Sequence, residues 1–215
     1  MAPTLGGQVL GERSQTQTVW NMPARDPHFT GRTGMLTLIR DRMRAELGTL
    51  VVQSLYGLGG VGKTQLAIEY AHRYAEDYTI TWLIHAEQPV LIPSQLADLA
   101  SRLGLRAQGA ASAIAQHVLM ELGGRTDWLL IFDNAGHPED IAGYLPAGKG
   151  AGHVLVTSRF PGWGASGLRI DVDVHEREKT VALLRARIPE MTPDVAEKLA
   201  AELGDLPLAA AQTAA

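Results

Sequence analysis

Gly57-Leu-Gly-Gly-Val-Gly-Lys63-Thr64 is the stretch on which the fold turns. It fits G-x-x-x-x-G-K-[ST] in full, and its surroundings fit as well. An apolar, β-branched run at residues 49–56 leads into it, and a helix-forming run at residues 65–72 leads out. Glycines at this spacing let consecutive backbone N–H groups turn inward on an anion, and the positive end of the following helix adds to the field. Lys63 can reach the β/γ-phosphates of a nucleotide and the Thr64 hydroxyl can ligate Mg²⁺. Gly57, Gly59, Gly60, Val61, Gly62 and Gln65 complete the candidate cradle. The plain alternative is a Gly-rich turn with an incidental lysine, and the strand–helix context argues against it.

Outward from the loop, the chain alternates. Residues 78–85 and 128–133 are nearly continuous apolar runs, as expected of parallel strands covered on both faces. Two helical patterns, residues 93–103 and 111–122, lie between them, closed by Gly104 and Gly123-Gly124. The strand at 128–133 ends on Asp133, at the carboxyl edge where open α/β sheets bind ligands, which makes Asp133 the candidate Mg²⁺-holding acid. Residues 152–159 form a fourth strand ending in Thr157-Ser158-Arg159. If it lies beside the strand before the loop, Arg159 points toward a γ-phosphate. Residues 168–172 alternate in polarity and suit a fifth, edge strand. After about residue 174 three helical patterns follow without strands, at 176–188, 193–203 and 206–215. The expectation is a P-loop NTPase α/β fold: a three-layer parallel sheet of five strands, one of them inserted beside the loop strand, then a small α-helical subdomain.

Before the loop, residues 1–18 are polar and Gly/Thr/Gln-rich and suit a flexible leader. Residues 19–32 hold two Pro residues and Gly31, which predict irregular backbone, yet Trp20, Met22 and Phe29 are costly to leave in water. Such a segment lies against a body or a ligand. A helix capped by Thr33 and stopped by Gly48 follows, with Met35, Leu36, Ile39, Met43 and Leu47 on one face. The expected divisions are thus 1–18, 19–174 and 175–215.

Composition sets limits. With 46% hydrophobic and 20% charged residues, the 215-residue chain has a globular profile. A formal charge of −4 argues against a general grip on nucleic acid or anionic membrane. Basic residues are mostly arginine, 15 against 4 lysines, so Lys63 stands out. There is no cysteine and none of the seven histidines forms an H-x₂₋₄-H pair, which leaves little for zinc. No apolar run approaches the ~18 residues of a membrane span, and the first residues lack signal-peptide character. A cytoplasmic setting is expected.

Taken together, these motifs resemble the NB-ARC family of signal-transduction (STAND) ATPases, among them bacterial regulators that carry tetratricopeptide repeats. The likeness runs over about residues 19–215. Phe29-Thr30-Gly31-Arg32 looks like the family's opening motif, which the resemblance places near the base and sugar. Gly57 to Thr64 is its phosphate loop, Leu129 to Asp133 its Mg²⁺ strand, and Thr157-Ser158-Arg159 its sensor of the γ-phosphate. Gly204-Asp-Leu-Pro207-Leu208-Ala209 resembles G-L-P-L-A, whose proline packs on adenine. The resemblance implies ATP or ADP with Mg²⁺, a nucleotide switch, and missing neighbours (a winged helix and repeats). It also implies nucleotide-dependent self-assembly of the longer protein. Where the family often has a second acid, this chain has Asn134, which orients water but cannot act as a general base. Weak ATPase turnover is therefore expected, carried by Lys63, Asp133, Asn134 and Arg159. The rivals are an AAA+-type remodelling ATPase and a nucleotide-holding module without turnover. A GTPase is disfavoured by the lack of N-K-x-D.

Overall fold

The computed structural model describes residues 18–45, 51–148, 152–165 and 168–214. The expected leader lies outside these residues save for its last position, as does the Gly48 stop. Among the described residues the elements run β1 (Val19–Trp20), α1 (Thr33–Ala45), β2 (Val51–Tyr56), α2 (Lys63–Arg73), β3 (Ile80–His85), α3 (Ile92–Arg102), α4 (Ala111–Gly123) and β4 (Trp128–Ala135). Then come α5 (Pro138–Ala142), β5 (His153–Ser158), β6 (Leu168–Asp171), α6 (Arg177–Arg187), α7 (Pro193–Glu202) and α8 (Pro207–Thr213).

The strands form one parallel sheet in the order β1-β3-β4-β5-β2-β6. β5 lies between β4 and β2, so the strand carrying Arg159 does flank the loop strand. The sheet has six strands where five are expected. The addition is β1, two residues long and therefore too short to show any alternation. Asn21 prolongs its pairing by mimicking backbone: its side-chain amide donates to the Leu83 carbonyl at 2.9 Å and accepts from the Leu83 N–H at 2.6 Å.

Strand side chains alternate between the two faces. Trp82, Ile84, Leu130, Phe132, Val154 and Val156 pack against Leu96 and Leu99 of α3 and Val118 and Leu122 of α4. Leu55, Leu83, Leu129, Ile131 and Leu155 face the other way, onto Leu36, Ile39 and Met43 of α1 and Leu66 and Tyr70 of α2. Full burial on both faces is why β3 and β4 read as unbroken apolar runs. Gly152 is fixed by contact: a Cβ there would lie 1.8 Å from the Trp128 ring, so the indole fills the space a side chain would need.

α6–α8 pack on a small apolar cluster of their own, centred on Leu183, Leu184, Ala200 and Ala210. Among the described residues no helix is long and apolar enough to cross a membrane.

Candidate functional site

The carboxyl ends of β2, β4 and β5 converge, as the pairing Leu55↔Thr157 and Phe132↔Val156 requires. Beyond Tyr56 the chain turns through Gly60 (φ 81°) and Gly62 (φ 85°) into α2. These left-handed conformations suit glycine, and Gly62 precedes the first residue of the helix. Gly57 serves packing: a Cβ on it would lie 2.2 Å from the Val172 carbonyl. Val61 turns its side chain into the core.

Lys63 is 8% exposed, and its ammonium donates to the Gly57 and Leu58 carbonyls at 2.8 Å each. Burial, Arg159 and Arg32 lower its pKa, with Asp133 pulling the other way. Around Lys63 the neighbouring cations Arg159 and Arg32 outnumber the one acid, Asp133, which favours an anion. Thr64 Oγ1 donates to Asp133 Oδ1 at 2.7 Å, and Thr157 Oγ1 donates to the same oxygen at 2.6 Å. The expected Mg²⁺ pair, Thr64 and Asp133, is thus brought together across 69 residues of sequence. The donor set fits the ion: hard oxygens from one hydroxyl and one carboxylate, leaving positions for phosphate and water. Among the described residues no cluster of three or more His, Asp or Glu side chains is arranged to hold a metal by itself.

β4 runs two residues past Asp133, with a register irregularity against β5 between Phe132 and Ala135. Asn134 sits there at φ 58°, its N–H donating to Thr157 Oγ1 at 2.8 Å. Ser158 Oγ donates to the Ala135 carbonyl at 2.7 Å, and Trp163 Nε1 donates to the Gly136 carbonyl at 3.0 Å. The segment after the acid is therefore pinned, with Asn134 among the residues that line the cavity.

The cavity has a volume of about 440 Å³. Of the residues expected from sequence, Phe29, Thr30, Arg32, Gly59, Gly60, Gly62, Lys63, Thr64, Gln65, Asp133, Asn134, Arg159, Pro207 and Leu208 all line it. Gly57 and Val61 do not. The guanidinium of Arg159 lies against the loop: a Cβ on Gly59 would be 3.0 Å from its Cζ. Arg32, itself left-handed at φ 58°, reaches Gly62 and donates to the Asp173 carbonyl at 2.7 Å. Its guanidinium is therefore beside the phosphate loop. Burial, opposed by Asp173, lowers its pKa to about 10, so it stays charged at neutral pH. The start of α8 sits on the loop, with Leu208 N–H donating to the Gly60 carbonyl at 3.1 Å.

Sequence reading passes over Asp26, His28, Thr157, His175, Leu183, Arg187 and Ala211, which also line the cavity. Only Thr157 carries a signal, as part of the motif quoted for Arg159. The others belong to no motif and come together by packing of α6 and α8 across residues 26–30. Phe29 and its neighbours are held by α2: buried Glu69 accepts from Arg25 and Arg73 at 2.7 Å, and His72 bonds the Pro23 carbonyl at 2.8 Å.

No protein-family model matches the chain. It is 33% identical over 174 residues to the regulatory protein AfsR of Streptomyces griseus, covering 75% of this chain and 18% of that protein. The regulatory protein AfsR of Streptomyces coelicolor is 31% identical over 186 residues, 79% of this chain and 18% of the relative. The chain therefore spans under a fifth of the length of these curated relatives. Among solved structures it is similar to a signal transduction ATPase with numerous domains and a tetratricopeptide repeat sensor from Pyrococcus horikoshii. That match has a TM-score of 0.54 and 22% identity, over 86% of this chain and 29% of the other. It is also similar to the ORC2 protein of Aeropyrum pernix, with a TM-score of 0.58 and 16% identity over 94% of this chain and 71% of the other. Cdc6p of Pyrobaculum aerophilum gives 0.58 and 15%, over 93% and 62%. At these identities what is shared is the fold: a parallel α/β sheet of the P-loop ATPase type.

Proposed function

We propose that this region is the ATP/ADP-binding switch of a STAND-type signalling protein of the NB-ARC kind, with slow Mg²⁺-dependent hydrolysis. The observation that carries the reading is the bond between Thr64 and Asp133 beneath a loop flanked by Lys63, Arg159 and Arg32. The loop N–H groups and Lys63 bind the phosphates, and Thr64 with Asp133 holds the metal. When bound, Mg²⁺ neutralises phosphate charge and orients the phosphates. Arg159 distinguishes a γ-phosphate from its absence, and α8, resting on Gly60, carries the difference to α6–α8. Only such differential contact can shift a conformational equilibrium.

Slow turnover is supported by the acids present. Among the described residues, Asp133 and Asp26 are the only carboxylates lining the cavity. Asp133 already accepts from Thr64 and Thr157, and Asp26 pairs with Arg187. In this reading the first is committed to the metal and the second is tied to Arg187, and Asn134 cannot act as a general base. The assembly of the longer protein, its tetratricopeptide repeats and its winged helix belong to this proposal, as does a cytoplasmic setting. The relatives named as regulators, and the sensor-bearing ATPase, support it.

Titration calorimetry tests the reading. Lys63→Ala is expected to weaken MgADP and MgATP about 30- to 150-fold, the scale of a lost charge-assisted hydrogen bond of about 2–3 kcal/mol. Arg159→Ala is expected to weaken MgATP about tenfold more than MgADP. Unchanged affinity in Lys63→Ala rejects the site, and equal losses in Arg159→Ala reject the sensor.

A further inference from the structure

One buried hydroxyl holds the backbone beside both Asn134 and Arg159. Ser158 is the last residue of β5 and is 0% exposed. Its Oγ donates to the Ala135 carbonyl at 2.7 Å, one residue past Asn134. The same atom accepts the Phe160 N–H at 3.0 Å, one residue past Arg159. Trp163 Nε1 takes the next carbonyl of β4's continuation, that of Gly136, at 3.0 Å. Two successive carbonyls beyond Asn134 are thus held by side chains from residues 158–163.

The strand register explains why side chains are needed there. Phe132 pairs with Val156 and Ala135 with Ser158, so β4 carries one residue more than β5 across this interval. An extra residue in one strand leaves ladder groups unpaired and re-aims the side chains beside it. Asn134 takes up the difference at φ 58°. A hydroxyl, donor and acceptor on one atom, closes the gap in the ladder. Beyond Arg159 the Phe160 ring lies 4.0 Å from that of His137, so the turn after β5 packs on the segment after β4.

Arg159 itself is exposed and rests against Gly59. Its backbone, rather than burial of its side chain, therefore sets where the guanidinium stands. Ser158 and Trp163 are not among the residues that line the cavity, so neither meets a ligand and both act through the backbone.

We propose that Ser158 is a positioning residue for Arg159. By tying the turn after β5 to the end of β4, its hydroxyl sets how well the site tells ATP from ADP. The proposal rests on the nucleotide reading and deepens it. Arg159 remains in the chain when the hydroxyl is lost, but it no longer stands at a fixed place, and misplacement by about 1 Å can cost up to about a hundredfold.

Titration calorimetry on the full chain, with MgATP and MgADP as probes, tests this. Ser158→Ala is expected to weaken MgATP about fivefold and to leave MgADP within about twofold. Ser158→Thr keeps the hydroxyl and is expected to restore the wild-type ratio of the two affinities. In an Arg159→Ala background, Ser158→Ala is expected to weaken MgATP no further, because both changes remove one shared effect. Trp163→Phe removes the second hydrogen bond while keeping a ring in the same space. It is expected to show the same MgATP-selective loss, about two- to threefold, and carries the test should Ser158→Ala not fold. Equal loss of both nucleotides, no loss, or a Ser158 effect undiminished without Arg159 overturns the proposal and leaves the nucleotide site standing. Equal losses in Arg159→Ala alone, or a wild-type chain that binds neither probe, sink the nucleotide-sensing reading and this proposal with it.

Discussion

At the scale of single residues, three non-glycine positions adopt left-handed backbone among the described residues: Arg32, Asn134 and Asp205. Two line the cavity and the third stands just before α8. For Arg32 in particular that conformation costs on the order of 1–3 kcal/mol. Asn and Asp tolerate it better, by bonding locally. None of this is legible in sequence. The motif Phe29 to Arg32 suggests a base-side segment, and the structure places the Arg32 guanidinium beside Gly62. His175 is a second residue that no motif marks. Its Nδ1 is buried without a partner among the described residues. Burial, then the cations Arg32 and Lys179, lowers its pKa from 6.5 to about 4. The folded state thus favours the neutral ring, and between pH 6.5 and 4 the unfolded chain binds the extra proton. Stability from this residue is complete above about 6.5 and is lost as pH falls toward 4. The loss is at most about 3.5 kcal/mol, at roughly 1.4 kcal/mol per pH unit. His175→Gln is expected to flatten that part of the stability–pH curve in urea unfolding; an unchanged slope would show that His175 titrates normally.

At the scale of elements, β2, β3 and β4 and the helices α2–α4 and α6–α8 were readable because burial on both faces, or on one stripe, leaves its period in the sequence. β1 and α5 were not, being two and five residues long. The extension of β4 through Asn134 was also hidden, since an acid followed by an amide resembles a strand end. The segment at 19–32 reads as irregular and apolar, but what fastens it is a buried carboxylate on another element. Glu69, in α2, has a side chain only 1% exposed. Burial pushes its pKa up, and the hydrogen bonds from Arg25 and Arg73 outweigh that, leaving it below the usual carboxylate range. Its contribution is present above the unfolded-state pKa and fades as pH falls through the folded value. Glu69→Gln is expected to cost about 1–3 kcal/mol at neutral pH, the range for hydrogen bonds to charged groups. Because both arginines remain partly exposed, they stay solvated, and the larger penalty of a stranded buried charge does not apply. Chemical denaturation at pH 7 and pH 4 checks this: the difference between variant and wild type should shrink at the lower pH.

For the molecule as a whole, the two sheet cores are extensive, whereas the helical unit's own apolar cluster has four buried members among the described residues. This unit meets the rest of the chain through the Leu208–Gly60 and Arg187–Asp26 hydrogen bonds and through a partly buried Leu206 packed on the sheet core. Local opening is cheapest where buried apolar contact is least. Hydrogen exchange is therefore expected to be faster in α6–α8 than in β3–β5, and saturating MgADP should slow it most in α6 and α8. Equal protection of helical unit and sheet without ligand would refute the inference. Lys63, Thr64, Asp133 and Arg159 were legible as cavity-lining residues because they sit in short motifs. The cavity's far wall comes from packing between distant segments, which no local pattern records. One structural detail gives the molecule a property of another kind. Trp163 is almost wholly buried and its indole donates to the Gly136 carbonyl, two residues past Asn134. An indole's emission responds to the dipole it faces, so a shift of this strand end alters the contribution of Trp163 to the emission of the chain's four tryptophans. With the other three replaced by Phe, the chain would carry an optical reporter of that strand end without an attached label.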